Sequence, residues 1–372
     1  MKVLFISDFI LAAEQGAKQS TRAHLKSLRE IFGKDSVDIV SINSKNKVND
    51  EHFVYIGNAP TKFIKLKNII SGSCFFLSKE GENTIVDLCT KEKYSLVFID
   101  HSIYGHLSKR IKEKCGIPIV AYFHGIMAFQ TEEYKKNNRT SVFYAIPALN
   151  TKYNEKLTVK YTDKCLLLNK RDENNLVRIY GRHADEYLPV YYDDTAKIEK
   201  IGQTEKFEML FVGGYFWPNV HGIRWFVKNV MTRLDSDFHL TIVGNGMDKL
   251  NDELSSEKVS VYGRVETLDS FYNIADVVVG PIFMGEGMKT KTCEALMYGK
   301  RYIGTDEALE GYEGLDQYRC NSANEFIEKI VEMKRQHNAK YNPEMREIYL
   351  KYYSPQMASE RLTKLFKDMK II

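Results

Sequence analysis

The stretch Phe283-Met284-Gly285-Glu286-Gly287-Met288-Lys289-Thr290-Lys291-Thr292-Cys293-Glu294-Ala295-Leu296 says more about this 372-residue chain than any other. Glycines bracket Glu286, and a helical pattern containing Glu294 follows after seven intervening residues. Small residues let a ligand approach the backbone closely. The start of a helix presents unpaired N–H groups and the positive end of a dipole, both suited to an anion. Lys289 and Lys291 add point charge for phosphate, while carboxylates accept hydrogen bonds from sugar hydroxyls. If the helix begins near Lys289, two lysines oppose its dipole, and a bound anion relieves them. Phosphate and sugar recognition side by side imply a nucleotide-sugar site. The competing reading is a solvated loop leading into a surface-charged helix.

Outward from this stretch, short apolar runs bounded by polar residues and glycine recur as strands. They fall at 3–6, 37–42, 96–99, 117–123 and 165–168, and again at 209–212, 240–243, 259–262, 277–282 and 302–304. Helical periodicity fills the intervals, as at 20–31, 106–114, 223–234, 291–298 and 326–335. Continuous apolar strands alternating with helices predict parallel sheets covered on both faces. The set occurs twice, so the expected architecture is α/β, with two Rossmann-like domains. Pro189 and the polar run Asp193-Asp194-Thr195 put the hinge in 188–202. Residues 1–192 and 203–352 are then the domains, followed by a last helical segment at 353–372.

Composition agrees with this division. A chain this long suits two cores, and 44% apolar with 27% charged residues describes a soluble globular protein. The net charge of +4 is not gathered into one basic stripe, which argues against nucleic acid as a partner. Six scattered cysteines without a C-x-x-C pair read as reduced thiols of a cytoplasmic protein. Met1–Ser7 followed by Asp8 reads as a first strand and not a secretory leader. No run approaches a membrane span. Residues 63–77 mix lysines with apolar side chains. They suit either an amphipathic helix contacting the cytoplasmic membrane face or an insertion packing on its own domain.

Open α/β sheets bind ligands beyond the carboxyl ends of their strands, and candidate residues cluster there. Gly16 lies between the first strand and its helix, where backbone N–H groups can meet an anion. His124, followed by Gly125, ends the strand at 117–123 and is a candidate substrate contact; Asp100-His101 ends the strand before it. Gly213 and Gly214 follow the strand at 209–212, with Trp217 read as a packing wedge and Arg224 on a helix surface. Gly244 begins Gly244-Asn245-Gly246, but Lys249 stands where a dinucleotide fingerprint needs its third glycine, which argues against a dehydrogenase. Arg264 and Val265 follow the strand at 259–262, with the Arg264 side chain suited to a base or a phosphate.

Residues 283–296 resemble the Glu-x7-Glu motif of retaining GT-B glycosyltransferases. The resemblance extends to Val212-Gly213-Gly214, Trp217-Pro218-Asn219, Val261-Tyr262-Gly263-Arg264-Val265 and Ala308-Leu309-Glu310-Gly311, and covers about 208–315. It implies a GT-B fold: two facing Rossmann-like domains, an acceptor side at 1–192, a nucleotide-sugar donor side at 203–352, and a C-terminal helix (353–372) returning to the first domain. It implies that Glu286 contacts donor sugar hydroxyls beside the backbone of Gly287 and Met288. Glu294 then holds the ribose, and Lys289 and Lys291 meet the diphosphate. The backbone at Gly263–Val265 reads the base, and His124 contacts the donor sugar. His124 and Glu286 are thus the expected catalytic-site residues. Gly16, Gly213, Gly214, Gly244, Arg264, Val265, Gly287, Met288, Lys289, Thr290, Lys291 and Glu294 are the expected donor-binding residues. The single glycine near Gly16 departs from the family's glycine-rich loop.

The lysine-rich form of the motif is similar to that of a subgroup acting in bacterial capsule, exopolysaccharide or O-antigen assembly. It points to a glycan or lipid-linked acceptor at the cytoplasmic face of the membrane. No Asp-x-Asp stands beside the motif, so neither a metal nor a cofactor is expected. Two alternatives share the fold: a non-catalytic nucleotide-sugar-binding partner of a transferase, and a sugar-nucleotide 2-epimerase.

Overall fold

The computed structural model describes residues 1–8, 10, 16–42, 50–57, 61–129, 132, 142–199, 201–285, 287–336 and 339–372. The chain divides into two compact units. One comprises Met1–Pro189 with Ala358–Ile372, and the other comprises Val190–Met357.

In the first unit the elements are β1 (Val3–Ser7), α1 (Gly16–Phe32), β2 (Val37–Ile42), β3 (Phe53–Ile56), α2 (Lys62–Ile70), α3 (Lys79–Glu92), β4 (Leu96–Ile99), α4 (Gly105–Cys115), β5 (Ile119–Phe123), α5 (Val142–Tyr161), β6 (Lys164–Leu167), α6 (Lys170–Tyr180) and β7 (Glu186–Tyr187). Among the described residues the strands form one seven-stranded sheet, ordered β3-β2-β1-β4-β5-β6-β7, and every pairing is parallel. Every residue of β1, β4 and β5 is buried, as a sheet covered on both faces requires. Leu4, Val97 and Ile119 share one core with Ile85 and Val86 of α3 and Leu107 and Ile111 of α4. A Cβ on Gly105 would lie 1.8 Å from the Asn154 carbonyl oxygen, so glycine lets α4 pack directly against α5.

Two strands are absent from the sequence reading, β3 and β7. Both are edge strands: β3 is only partly buried, and β7 is the dipeptide Glu186-Tyr187. An edge strand has one neighbour and needs no continuous apolar run. The strand read at 117–123 begins at Ile119, because Pro118 lacks the N–H of a ladder residue.

In the second unit the elements are β8 (Phe207–Val212), α7 (Trp217–Asn229), β9 (Phe238–Val243), α8 (Asn251–Leu254), β10 (Val259–Tyr262), α9 (Asp269–Ile274), β11 (Val277–Gly280), α10 (Thr290–Met297), β12 (Tyr302–Gly304), α11 (Ala323–Arg335) and α12 (Pro343–Tyr352). Its sheet has the order β10-β9-β8-β11-β12, again all parallel. Local chemistry sets the helix starts. Ser322 and Glu325 form a reciprocal capping box on α11, and Asn342 caps α12 ahead of Pro343.

The final helix, α13 (Pro355–Asp368), joins the first unit. Phe366 packs on Phe32 with ring centroids 5.2 Å apart, and Arg361 Nη1 donates to the Tyr187 carbonyl at 2.6 Å. Among the described residues no helix is long and apolar enough to cross a membrane.

In each sheet the strand order reverses at the first strand, between β1 and β4 and between β8 and β11. Such reversals open a crevice at the strands' carboxyl ends, because the flanking connections leave on opposite faces. The candidate residues of each unit gather at its own reversal.

Candidate functional site

In the second unit the carboxyl ends of β8, β9 and β10 form one hydrogen-bonded row. Gly213 N donates to Val243 O at 3.0 Å, and Gly244 N donates to Tyr262 O at 3.2 Å. A Cβ on Gly244 would lie 2.0 Å from the Gly213 carbonyl oxygen, so glycine is required for the two loops to touch. A Cβ on Gly213 would lie 2.9 Å from Lys291 Nζ. The lysine thus reaches from α10 to the end of β8. Beyond the row, Arg264 is exposed and Val265 half-buried.

The helix α10 begins at Thr290, with Lys289 at its N-cap, so Lys291 lies in its first turn. Lys291 Nζ donates to Asn219 Oδ1 at 2.6 Å and sits 4.6 Å from the centroid of the Phe211 ring. Asn219 in turn donates to the Gly214 carbonyl at 2.9 Å, tying the β8 loop to the lysine. Burial, reinforced by the charge of Lys289, pushes the Lys291 ammonium down to about 7. An ammonium held this way favours an arriving anion, which would restore its charge.

Glu294 lies one turn further along α10. Its Oε2 accepts a hydrogen bond from the buried Tyr272 hydroxyl at 2.9 Å, and the Tyr272 ring stacks on Tyr298 at 4.3 Å. Burial raises the Glu294 carboxyl, against the opposing pull of Tyr272 and Lys291.

Lys289 is placed differently. Its Nζ pairs with Glu307 at 2.6 Å and donates to Gly287 O at 3.1 Å. Its carbonyl accepts from the Tyr312 hydroxyl at 2.8 Å, and the same hydroxyl accepts from Cys293 N at 3.1 Å. An anion reaching Lys289 must therefore compete with Glu307. Gly287 takes φ 58°, a left-handed conformation that favours glycine. The Met288 side chain is buried, which leaves its backbone as the part able to face a ligand. Glu286 lies outside the described residues.

In the first unit Asp100, at the end of β4, is the hub. It accepts from Ser7 at 3.2 Å, from Thr21 and from His24 Nδ1 at 2.7 Å, which ties β1 and α1 to β4. His124 Nε2, at the end of β5, bonds the Asp100 carbonyl at 3.1 Å and stands 3.5 Å from its carboxylate. Burial alone would raise the Asp100 carboxyl, but the His124 and His24 rings hold it well below the usual carboxylate range. His101 Nδ1 meets Asp8 at 3.2 Å. Burial opposes a charged His101 ring, yet Asp8, Asp100 and Glu155 together outweigh it and the pKa rises. Gly16 is the first residue of α1, so its N–H belongs to the helix's unpaired first turn. Glu155 anchors the segment after His124-Gly125, accepting from Met127 N and Ala128 N, both at 2.9 Å.

Sequence reasoning placed Asn219 and Tyr272 within the resemblance but gave them no site role, and it missed Glu307, Tyr312, Thr21 and His24. Each acts through a partner distant in sequence, so its role is not visible in local spacing. Trp217, expected to be a packing wedge, is instead 49% exposed, beside exposed Tyr215 and Phe216. The Gly213–Asn219 turn points its aromatics outward and leaves Trp225 to pack on Phe283 at 4.7 Å. Arg224 does lie on the helix surface, paired with Glu253 at 2.6 Å. Among the described residues no group of three or more His, Cys, Asp or Glu side chains is placed to hold a metal ion.

Comparison with known proteins agrees with this fold. Sucrose-phosphate synthase from Thermosynechococcus elongatus is similar in structure, with TM-score 0.73 and 15% identity over 99% of this chain and 98% of that one. Anabaena Alr3699/HepE in complex with UDP-glucose is similar at TM-score 0.67 and 12% identity, over 99% of this chain and 100% of that one. The lipopolysaccharide outer core galactosyltransferase WaaB is similar at TM-score 0.66 and 13% identity, with the same coverage. No curated protein sequence matches the chain significantly. The chain has the GT-B fold of two Rossmann-like domains, and its residues 206–336, which hold the Lys291–Glu294 site, match the family described as glycosyl transferases group 1.

Proposed function

We propose that this protein transfers a sugar, with retention of anomeric configuration, from a nucleotide-diphosphate sugar to a glycan or lipid-linked acceptor in bacterial surface-polysaccharide assembly. The observation that carries the proposal is Lys291, a half-buried lysine in the first turn of α10, set against the glycine loop of β8 and one turn from Glu294. Glycosyl transfer breaks a C1–O bond to a diphosphate, and negative charge grows on the leaving group. Pre-placed positive charge in a dry site stabilises that transition state most. Lys291 and the unpaired N–H groups of α10 supply such charge without a metal. Glu294 is assigned to the ribose hydroxyls, and Arg264 with the Val265 backbone to the base. Glu286 and His124 are assigned to the transferred sugar as positioning groups.

The UDP-glucose complex of HepE, a protein of the same fold, supports a nucleotide sugar as donor. WaaB, a lipopolysaccharide galactosyltransferase, supports the surface-polysaccharide setting. The test is a panel of nucleotide sugars with released nucleotide diphosphate as readout, run beside Glu294→Ala. Release from one donor, lost in the variant, is the expected result. A new epimer formed without acceptor would replace transfer by epimerisation. Absence of donor binding by calorimetry sinks the nucleotide-sugar assignment altogether.

A further inference from the structure

Helix α2 is built inside out. Phe63 and Ile70 are 78% and 79% exposed, and Ile64 and Leu66 are exposed beside them, while the polar Asn68 is 3% exposed. Asn68 points inward to donate to the Phe75 carbonyl at 3.2 Å. The segment just after the helix behaves in the ordinary way, with Cys74 and Leu77 in the core. The 63–77 stretch therefore contains both arrangements considered from sequence, an outward-facing amphipathic helix followed by a buried anchor.

A second face adjoins it. Asn150 on α5 donates to the Ser73 carbonyl at 3.0 Å and accepts from Phe75 N at 3.1 Å, which holds the turn after α2 against α5. Beside that junction α5 exposes Ile146, Leu149 and Tyr153. Lys152, Lys156 and Lys160 continue along the same helix as exposed side chains. They border a groove of about 750 Å³ that also includes Arg182, Val159 and Ile179. Glu155 in this run is buried and bonded to Ser102, Tyr180 and two backbone amides, so it does not neutralise the surface. Glu80 approaches α2 only at 4.0 Å from Lys67.

We infer that α2 and the exposed side of α5 form a docking surface for an anionic lipid bilayer. Exposed aromatic and aliphatic side chains beside a lysine row match what an interfacial helix needs, apolar insertion plus attraction to acidic headgroups. The lysine stems reach along the apolar surface while their ammonium groups stay at headgroup level. The charge complementarity selects an anionic membrane over a second copy of this chain, whose own α5 lysines would repel. This inference does not depend on the proposed transfer reaction.

The test is flotation of the full chain with phosphatidylcholine vesicles, with and without phosphatidylglycerol. Binding is expected only with phosphatidylglycerol and is weakened by salt. Phe63→Ser combined with Ile70→Ser, and separately Lys152→Glu combined with Lys156→Glu, are each expected to lower the bound fraction at least roughly tenfold. Their thermal midpoints stay at the parent value, since these side chains are exposed. Absence of flotation on phosphatidylglycerol vesicles, or equal flotation of parent and both variants, overturns the inference. A dimer in light scattering that Ile70→Ser dissolves, without vesicle binding, assigns the face to a second copy instead.

Discussion

Two lysines nine positions apart in the second unit divide its chemistry. Lys300 is buried, and its ammonium donates to three carbonyls, Asn273 O at 3.1 Å, Ala275 O at 3.0 Å and Lys340 O at 3.0 Å. Among the described residues Lys291 has one hydrogen bond, to Asn219, and a ring face. Burial pushes both below an ordinary lysine, to about 8 for Lys300 and about 7 for Lys291. Burial alone thus does not distinguish a structural lysine from one proposed to bind. The number and kind of partners do, because three carbonyls complete an ammonium's donors whereas a single amide leaves it seeking an anion.

The widest separation between the two is expected from Lys291→Met. Transfer should fall by roughly 100-fold or more, because a charge-assisted contact that strengthens on the leaving diphosphate is removed. The thermal midpoint should hold or rise, and paired turnover and melting curves check this. A melting loss comparable to that of the Lys300 variant would erase the distinction.

Lys300→Met is the mirror experiment. It strands three buried carbonyls, at a cost of about 3 kcal/mol, and should lower the midpoint by roughly 6–12 °C. Donor affinity of the folded fraction, measured by calorimetry below the transition, should match the parent.

The pH dependence sharpens the comparison further. Lys291 titrates near 7 in the folded protein against 10.5 as its ordinary value. The unfolded chain then holds more protons between those values, so this group makes the ligand-free protein more stable as pH rises from 7 towards 10.5. Donor binding runs the other way. Affinity for a nucleotide sugar should be flat below about pH 7 and fall above it by at most about tenfold per pH unit, with proton uptake measurable by calorimetry in buffers of different ionisation enthalpy. In Lys291→Met the uptake should vanish, whereas Lys300→Met should retain it.

The smallest effect is expected from Asn219→Ala. Lys291 loses its hydrogen bond but keeps its place over Phe211, so donor affinity should weaken by about 5-fold, equivalent to about 1 kcal/mol. A larger loss would mean that Asn219 orients the β8 loop as well as the lysine.

Much of this arrangement was legible in the chain. The apolar runs mark the central strands of both sheets, since a strand buried on two faces must be apolar throughout. The glycine, lysine and glutamate spacing of 285–294 marks the second unit's candidate site, because the helix start and its first-turn lysine are local features. The edge strands β10 and β12 were legible as well, but β3 and β7 were not, since β3 is only partly buried and β7 is a dipeptide. Nor was the pairing of Lys289 with Glu307, as the two belong to different loops.

The sequence by itself determined the repeated βα order, the glycines at strand ends and the place of Lys291 and Glu294 on α10. These depend on residue type and short spacing, which periodicity and turn chemistry expose. Tertiary structure alone decided that Lys291 lacks, among the described residues, the full set of partners given to Lys300, that Asp100 gathers Ser7, Thr21, His24 and His124, and that α2 turns its apolar side outward. Those outcomes rest on contacts between segments far apart in the chain, where burial and hydrogen-bond completion are set by what the fold brings near.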